Sequence, residues 1–307
     1  MQDLTTGSLT GHLLRTTSYM LVSMVFQTLY VLIDLYWVGS LGTEAVAAVA
    51  VSGNLMFVVL AASQMLGVGT TTLVAHATGR RDRAHATLVF NQAQVLSMVT
   101  GVVFFVAAMA TRRAYAAALS ADAATGALAD EYLVWFIPAM ALQFGLIAMG
   151  AALRGTGNFR PGMVVQTATV ILNILLAPLL IFGWGPVPGF GVAGAAMATL
   201  VAVLIGVAWM TLYFLPADTY LQFNRHEWAP RPGLWRDILR IGLPSGAEFA
   251  LMAVYLLIVY AVSRPFGAAA QAGFGIGARI LQACFLDRKS TRLNSSHSRA
   301  SRMPSSA

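Results

Sequence analysis

Acidic and polar residues lie inside otherwise apolar stretches of this sequence, where they could bind a small cation or carry a proton. Asp34 lies in the run TLYVLIDLYWVG, with Tyr30 four residues and Gln27 seven residues before it. On a helix this spacing puts all three side chains on one face. Because a carboxylate is costly in hydrocarbon, Asp34 indicates either an ion or proton carrier facing a cavity, or an interfacial residue that reaches headgroup water.

Amide and hydroxyl groups on later apolar stretches could add ligands to such a site. Gln166 and Asn173 are seven residues apart, and Thr199 lies in the run GVAGAAMATLVA. Amide and hydroxyl oxygens are hard ligands that suit a small cation beside a carboxylate. The alternative is plain hydrogen bonding between helices. A further acid, Glu248, follows Pro244 by four residues; it either lines a cavity or pairs with Arg240 or water near the inner surface.

Composition restricts the class of protein. Of the 307 residues, 58% are hydrophobic and 10% are charged, with a mean hydropathy of +0.71, whereas a soluble domain is about 45–50% apolar and about 25% charged. Lipid, but no soluble core, can accommodate such a chain. The sequence therefore predicts an all-α integral membrane protein, a polytopic helical bundle. No Lys/Arg cluster tracks a phosphate backbone, so a nucleic-acid partner is not expected, and no cofactor or metal site is predicted.

Hydropathy divides the chain into spans of about 20 apolar residues or more. The predicted spans are about 13–39, 45–77, 85–110, 129–153, 161–183, 190–215 and 238–263, with an eighth beginning near Gly267. The Ala-rich segment 114–128 is expected to be a short helix at the interface, and 218–236 is the longest polar link. The domains follow as 1–216, a linker 217–237, a second lobe beginning at 238–287, and a tail 288–307.

Arginine placement orients the predicted spans, because cytoplasmic loops are enriched in positive charge. With the N-terminus inside, the inner side collects Arg15, Arg80, Arg81, Arg83, Arg154, Arg160, Arg225, Arg231, Arg236 and Arg240, and the outer side Arg112, Arg113 and Arg264. This bias predicts a multi-pass protein of the inner (plasma) membrane with a cytoplasmic N-terminus.

Two segments of the sequence echo each other. The runs LGTEAVAAVAVSGN (41–54) and FGAAAQAGFGIGAR (266–279) match at an offset of 225 residues, which pairs Gly42 with Gly267. An offset that spans six helices indicates two halves of the same orientation, as in parallel-repeat transporters. The alternative is coincidence in a chain rich in Ala and Gly.

The tail differs from the rest of the chain. Residues 288–307 read RKSTRLNSSHSRASRMPSSA, in which seven residues are Ser and Lys289 is the only Lys of the chain. The string is similar to a translated sequencing adapter; a polar, disordered terminus is the alternative. Under the first interpretation the chain is a C-terminally incomplete fragment with a non-native end.

Six motifs in order resemble the multidrug and toxic compound extrusion (MATE) transporters over residues 12–286. They are LYVLIDLYWVGSLGTEAVAAVAV (29–51), GVGTTTLVAHATGRRDRAHA (67–86), LRGTGNFRPGM (153–163), LNILLAPLLIFG (172–183), GVAGAAMATL (191–200) and RIGLPSGAE (240–248). The resemblance implies two six-helix lobes around a cavity, of which this chain holds the first lobe, helix seven and the start of helix eight.

The same resemblance implies a function. MATE transporters export organic cations and other amphipathic compounds in exchange for H⁺ or Na⁺, and Asp34 occupies the place of their coupling carboxylate. Asn173 and Thr199 resemble its partners, and Gln27 and Gln166 resemble cavity amides, while Tyr30 and Glu248 are expected to line the cavity. A second acid that some members carry is Ala177 here, which disfavours Na⁺. The protein is expected to be monomeric and to contact membrane lipid.

Two other functions were compared with export. A lipid-linked oligosaccharide flippase of the same superfamily needs several cationic residues in its cavity, and the predicted helix interiors contain essentially no Arg. A membrane-embedded enzyme would need a catalytic dyad or metal cluster, and no His–Glu or His–His spacing supplies one. The sequence therefore predicts a cation-coupled antiporter and no enzyme.

Overall fold

Six helices in the described part of the chain are long and apolar enough to cross a membrane. The computed structural model describes residues 33, 36–184, 187–216 and 219–278. The helices are α1 Thr43–Gly53, α2 Leu55–Gly79, α3 Arg83–Leu119, α4 Ala123–Gly155, α5 Arg160–Phe182, α6 Gly191–Phe214, α7 Pro232–Ser263 and α8 267–278, with 3₁₀ turns at Arg225–Glu227 and Arg264–Phe266. Two short strands, β1 Gly183–Trp184 and β2 Val187–Pro188, pair antiparallel between α5 and α6.

The helical architecture predicted from hydropathy is confirmed, with two differences in detail. The Ala-rich segment 114–128 is not a separate interfacial helix: α3 continues to Leu119 and α4 begins at Ala123. Near the end of α3, the Arg112 guanidinium pairs with Asp130 of α4 at 2.9 Å. Helix α7 begins at Pro232, earlier than expected. The predicted span 13–39 lies largely outside the described residues.

Loops alternate between two ends of the bundle. The linker end is formed by the loop 79–83, the loop 155–160 and the segment 214–232. The far end is formed by the turns at 39–43, 119–123, 182–191 and 263–267. Helices α1 and α2 together make one crossing, Thr43–Gly79, interrupted at Asn54.

Helix α4 is central to the bundle. It packs against α1, α2, α3, α5 and α6, and 61% of its most apolar stretch is buried. Lipid supplies no hydrophobic force between helices, so small residues that permit close approach must hold such a bundle together. The buried Ala139, Ala148, Ala151 and Ala152 of α4 serve this purpose.

Helix α7 packs along α2 through a seam of glycines. A Cβ at Gly242 would overlap the carbonyl of Met65, and one at Gly246 would lie 2.8 Å from the carbonyl oxygen of Ala61. Likewise a Cβ at Gly69 would overlap Ile238. The contacts recur every four residues on both antiparallel helices. This is the spacing of helices that pack through their i±4 ridges. The seam fixes the helix that follows the linker directly on α2.

The two echoed segments begin with the same backbone conformation. Gly42 has φ 109° and ψ 172°, and Gly267 has φ 87° and ψ 171°. Both lie at the far end, where Gly42 directly precedes α1 and Gly267 is the first residue of α8. Because positive φ is costly for residues with a Cβ, the glycines are required there. The shared geometry supports a repeat over chance similarity.

Candidate functional site

The α5–α6 hairpin carries the polar residues that the sequence pointed to in these two helices. Gly194 lets α6 approach the backbone of α5, since a Cβ there would overlap the carbonyl of Leu180. At the turn, Phe190 N donates to Leu180 O at 2.8 Å. Further along the hairpin, a Cβ at Gly206 would overlap the side chain of Thr169. These contacts set the antiparallel register of the hairpin.

In this register Asn173 and Thr199, which the resemblance offers as two partners of Asp34, bond to each other. Nδ2 of Asn173 donates to Oγ1 of Thr199 at 3.0 Å, and Oγ1 of Thr199 donates to the carbonyl of Ala195 at 3.2 Å. Asn173 is 5% exposed. Because Nδ2 of this amide faces Thr199, Oδ1 points away from it, and within the described residues no hydrogen bond to Oδ1 is found. An amide oxygen so placed is a potential ligand for a cation or a substrate donor.

The structure places two other predicted residues apart from this pair. Gln166 is exposed on α5, two turns before the buried Asn173. Glu248 is exposed on α7, a helix that packs against α2 and α3. Ala177, one turn after Asn173, is buried at 1% exposure, and as an alanine it adds no charge.

Three predicted site residues, Gln27, Tyr30 and Asp34, lie outside the described residues. Their relation to Asn173 and Thr199 stays a prediction. In the described part of the chain, no group of three or more His, Cys, Asp or Glu side chains could hold a metal ion.

Sequence reasoning missed an amide cluster at the linker end. Asn91 and Gln92 on α3 are fully buried. Asn91 Nδ2 donates to the carbonyl of Gln222 at 2.9 Å, and its Oδ1 accepts from Asn224 N and Trp228 Nε1, each at 3.0 Å. Adjacent Asn and Gln inside an apolar span were the available signal, because buried amides need partners.

Gln92 extends this cluster to the start of α7. Its Oε1 accepts from Arg231 N and from Trp235 Nε1, each at 2.9 Å, and its Nε2 donates to the carbonyls of Glu227 and Ala229. Arg83 adds bonds to the carbonyls of Tyr220 at 3.0 Å and Thr219 at 2.8 Å. The polar segment between α6 and α7 is therefore docked on α3.

A third buried amide, Gln271 on α8, was also missed. It is 0% exposed and bonds to the turn between α3 and α4 at the far end. Beside it lies an open cavity of about 580 Å³ whose lining includes Arg113, Ser120, Asp130 and Arg264. In the sequence, the signal was one amide in the small-residue run AAAQAGFG.

Comparison with known proteins gives these sites a context. The chain is 29% identical over 271 residues to the probable multidrug resistance protein NorM of Thermotoga maritima, covering 85% of this chain and 56% of the relative. It is 26% identical over 267 residues to the multidrug export protein MepA of Staphylococcus haemolyticus, covering 86% of this chain and 58% of the relative. The chain thus spans less than three-fifths of the curated relatives that it matches.

The fold gives the same result as the sequence comparison. A crystal structure of MATE in complex with MaD3S superimposes with a TM-score of 0.77 at 29% identity, covering 90% of this chain and 62% of that one. These relatives are named for export and resistance, which confirms at the level of the family the expectation of a transport protein and no enzyme. The MatE family model matches residues 20–179, just over half of the sequence. With its helical bundle and its hairpin pair of polar residues, the chain belongs to the MatE family.

Proposed function

We propose that the protein exports small amphipathic or cationic compounds in exchange for H⁺ or Na⁺. The observation that carries this proposal is the buried Asn173–Thr199 pair, which joins α5 and α6 at 3.0 Å and directs an amide oxygen away from the contact. The multidrug relatives support the substrate class. Buried polar side chains in a membrane bundle are costly unless they serve a ligand or a neighbouring helix.

The mechanism is alternating access driven by protonation of Asp34. When Asp34 is charged, it attracts a cationic substrate; when a proton enters from outside, the charge is lost and the substrate is released. A single carboxylate that serves both cations makes their binding mutually exclusive, which couples the two fluxes. Because residue 177, one turn after Asn173, is Ala, this part of the site has no second acid, which favours H⁺ over Na⁺.

The protein works in the inner membrane as a monomer, with the linker end and the N-terminus in the cytoplasm. Among described residues, the linker end carries Arg80, Arg81, Arg83, Arg154, Arg160, Arg225, Arg231, Arg236 and Arg240, and the far end Arg112, Arg113 and Arg264. Each arginine on a described helix lies within about three turns of a helix end. This placement disfavours the flippase alternative, whose anionic substrate needs cations deep in the cavity.

The experiment starts by sequencing the locus past codon 287 and expressing the full gene product in proteoliposomes. An imposed proton gradient should drive export of a fluorescent lipophilic cation. Asp34→Asn, which keeps the shape but cannot cycle a proton, should reduce that export at least tenfold. Asp237→Asn makes the same chemical change at an exposed position of α7 and serves as the matched control.

Two outcomes would count against the proposal. Transport by Asp34→Asn at the parental rate would remove the proposed coupling residue. Parental protein that is folded, yet moves no cation under a proton or a sodium gradient, would remove the export function itself.

A further inference from the structure

Gln271 joins two parts of the bundle that are far apart in sequence. Its Oε1 accepts from the N–H of Ala121 at 3.0 Å, and its Nε2 donates to the carbonyl of Leu119 at 2.6 Å. A longer bond at 3.3 Å connects Nε2 to the carbonyl of Tyr260 on α7. Both amide hydrogens and the amide oxygen therefore have partners, and two of the three bonds cross to the turn after α3.

The bonds to this turn satisfy backbone groups that the helices leave open. Leu119 is the last residue of α3, so its carbonyl has no partner further along the helix, and Ala121 directly precedes Asp122, the N-cap of α4. Such groups are costly to leave unpaired when they are buried away from water. Gln271, which follows the linker in sequence, thus supplies hydrogen-bond partners to the turn that joins α3 and α4.

We propose that Gln271 is a latch that closes the far end of the transporter and is released whenever that end opens. The inference rests on the proposed transport function, because α3 and α4 belong to the first lobe and α8 to the second. Opening the far end separates the amide from residues 119–121. The bond to Tyr260 stays within the second lobe, so it keeps the side chain oriented for closing again.

The internal repeat shows that the fold itself does not require this amide. At the offset of 225 residues that pairs Gly42 with Gly267, the counterpart of Gln271 is Val46. Val46 is buried at 7% exposure and offers no hydrogen bond. The first repeat therefore has an apolar residue, Val46, where the second has Gln271. This difference points to a role for Gln271 in the contact between the two lobes and not in the architecture of each lobe.

The cavity beside the latch provides a reporter of its opening. Ser120 lies between the two bonded residues, is 2% exposed and lines the cavity together with Arg264 from the second lobe. Within the described residues its Oγ has no hydrogen-bond partner, so Ser120→Cys should be well tolerated. When the lobes separate, a thiol at position 120 becomes reachable from the far side.

The test measures labelling of Ser120→Cys by a membrane-impermeant maleimide in the full gene product, with Cys284 and any further cysteine replaced. Gln271→Met keeps length and volume but removes both interlobe bonds, so labelling should accelerate about tenfold. The control, Gln143→Met on α4, makes the same change at a half-buried site and should leave the labelling rate within about twofold of the parent.

A second variant guards against misfolding of the first. Ala121→Pro removes the N–H that donates to Oε1 of Gln271. The preceding Ser120 already has ψ 146°, the extended conformation that a residue before proline adopts. The variant should accelerate labelling about threefold, since one bond is lost instead of two. Unchanged labelling in both folded variants would overturn the latch.

Transport is measured separately in the same variants. If Gln271→Met accelerates labelling of the cysteine at position 120 but the parent protein exports nothing, the latch proposal is supported and the export proposal is rejected. Export by the parent together with unchanged labelling would reject the latch alone.

Discussion

At the scale of single residues, the Asn173–Thr199 hydrogen bond contributes little to stability. Hydrogen bonds between membrane helices average about 0.6 kcal/mol and reach about 1.7 kcal/mol, because the unfolded chain in the membrane also finds partners. Close packing of α5 on α6 at Gly194 would hold the hairpin without this bond. The proposed role of the Asn173 oxygen as a ligand would account for this costly placement, which the weak bond alone does not.

We therefore expect a large functional effect and a small effect on stability at this pair. Asn173→Ala should reduce export at least tenfold, while the free energy of unfolding falls by about 1 kcal/mol. A double-mutant cycle with Thr199→Val should give a coupling energy near 0.6 kcal/mol by reversible unfolding in mixed micelles. Thr211→Val is the control, since its hydroxyl bonds only to the carbonyl of Val207 on its own helix. A coupling energy above about 2 kcal/mol would make the pair a structural contact.

At the scale of elements, the α5–α6 hairpin depends on backbone contact that an extra methyl group prevents. Gly194→Ala places its Cβ against the carbonyl of Leu180, and a carbonyl in a helix cannot move aside as a flexible side chain can. The helices must separate, which should lower the free energy of unfolding by about 1–3 kcal/mol.

The control for this prediction is Gly145→Ala on α4, where a Cβ would meet nothing within 4 Å. It should be neutral or stabilising by about 0.5–1 kcal/mol, because Ala is the better helix former. Denaturant unfolding of both variants gives the comparison. Equal stabilities would mean that α5 and α6 can separate without cost and that Gly194 does not set their register.

The polar segment between α6 and α7 is an element that hydropathy alone misrepresents. By composition it is a solvated link, yet Leu221 is 1% exposed and its neighbour Phe223 packs on Phe90 at a ring distance of 5.1 Å. The amides of Asn91 and Gln92 bond to its backbone. A helix that follows a docked segment starts from a fixed position, which lets the glycine seam of α7 align with α2.

At the scale of the whole molecule, the repeat is reflected in a direct contact. A Cβ at Gly275 would overlap the Cβ of Ala50, and these positions differ by the same 225 residues as Gly42 and Gly267. In a two-fold arrangement, equivalent residues touch each other only at the axis. We therefore expect the two-fold axis of the repeat to pass through the α1–α8 contact, along the membrane normal, as parallel repeats require.

The orientation of the whole bundle is testable with two cysteines. Trp184 at the far end is 78% exposed, and Arg225 at the linker end is exposed as well. Because arginines concentrate at the linker end, an impermeant maleimide should label Trp184→Cys in intact cells and Arg225→Cys only after lysis. The opposite pattern would invert the proposed topology.

The class of protein, the number and order of the described crossings and the family were all determined by the sequence. Lipid demands long apolar helices, so hydropathy reports them directly. Helix ends were predicted less well: the weakly polar, Ala-rich segment 114–128 was expected to be a separate helix, whereas α3 continues to Leu119 and α4 begins at Ala123.

Only the tertiary structure decided which polar side chains meet. Helical periodicity places Asn173 on a face, but the neighbour of that face depends on the register of two helices, which small residues such as Gly194 set. The same holds for Asn91 and Gln92, whose partners are backbone groups more than 130 residues away, and for Gln271, 150 residues from Ala121. No local pattern encodes contacts over such separations, because they arise from packing and not from propensity.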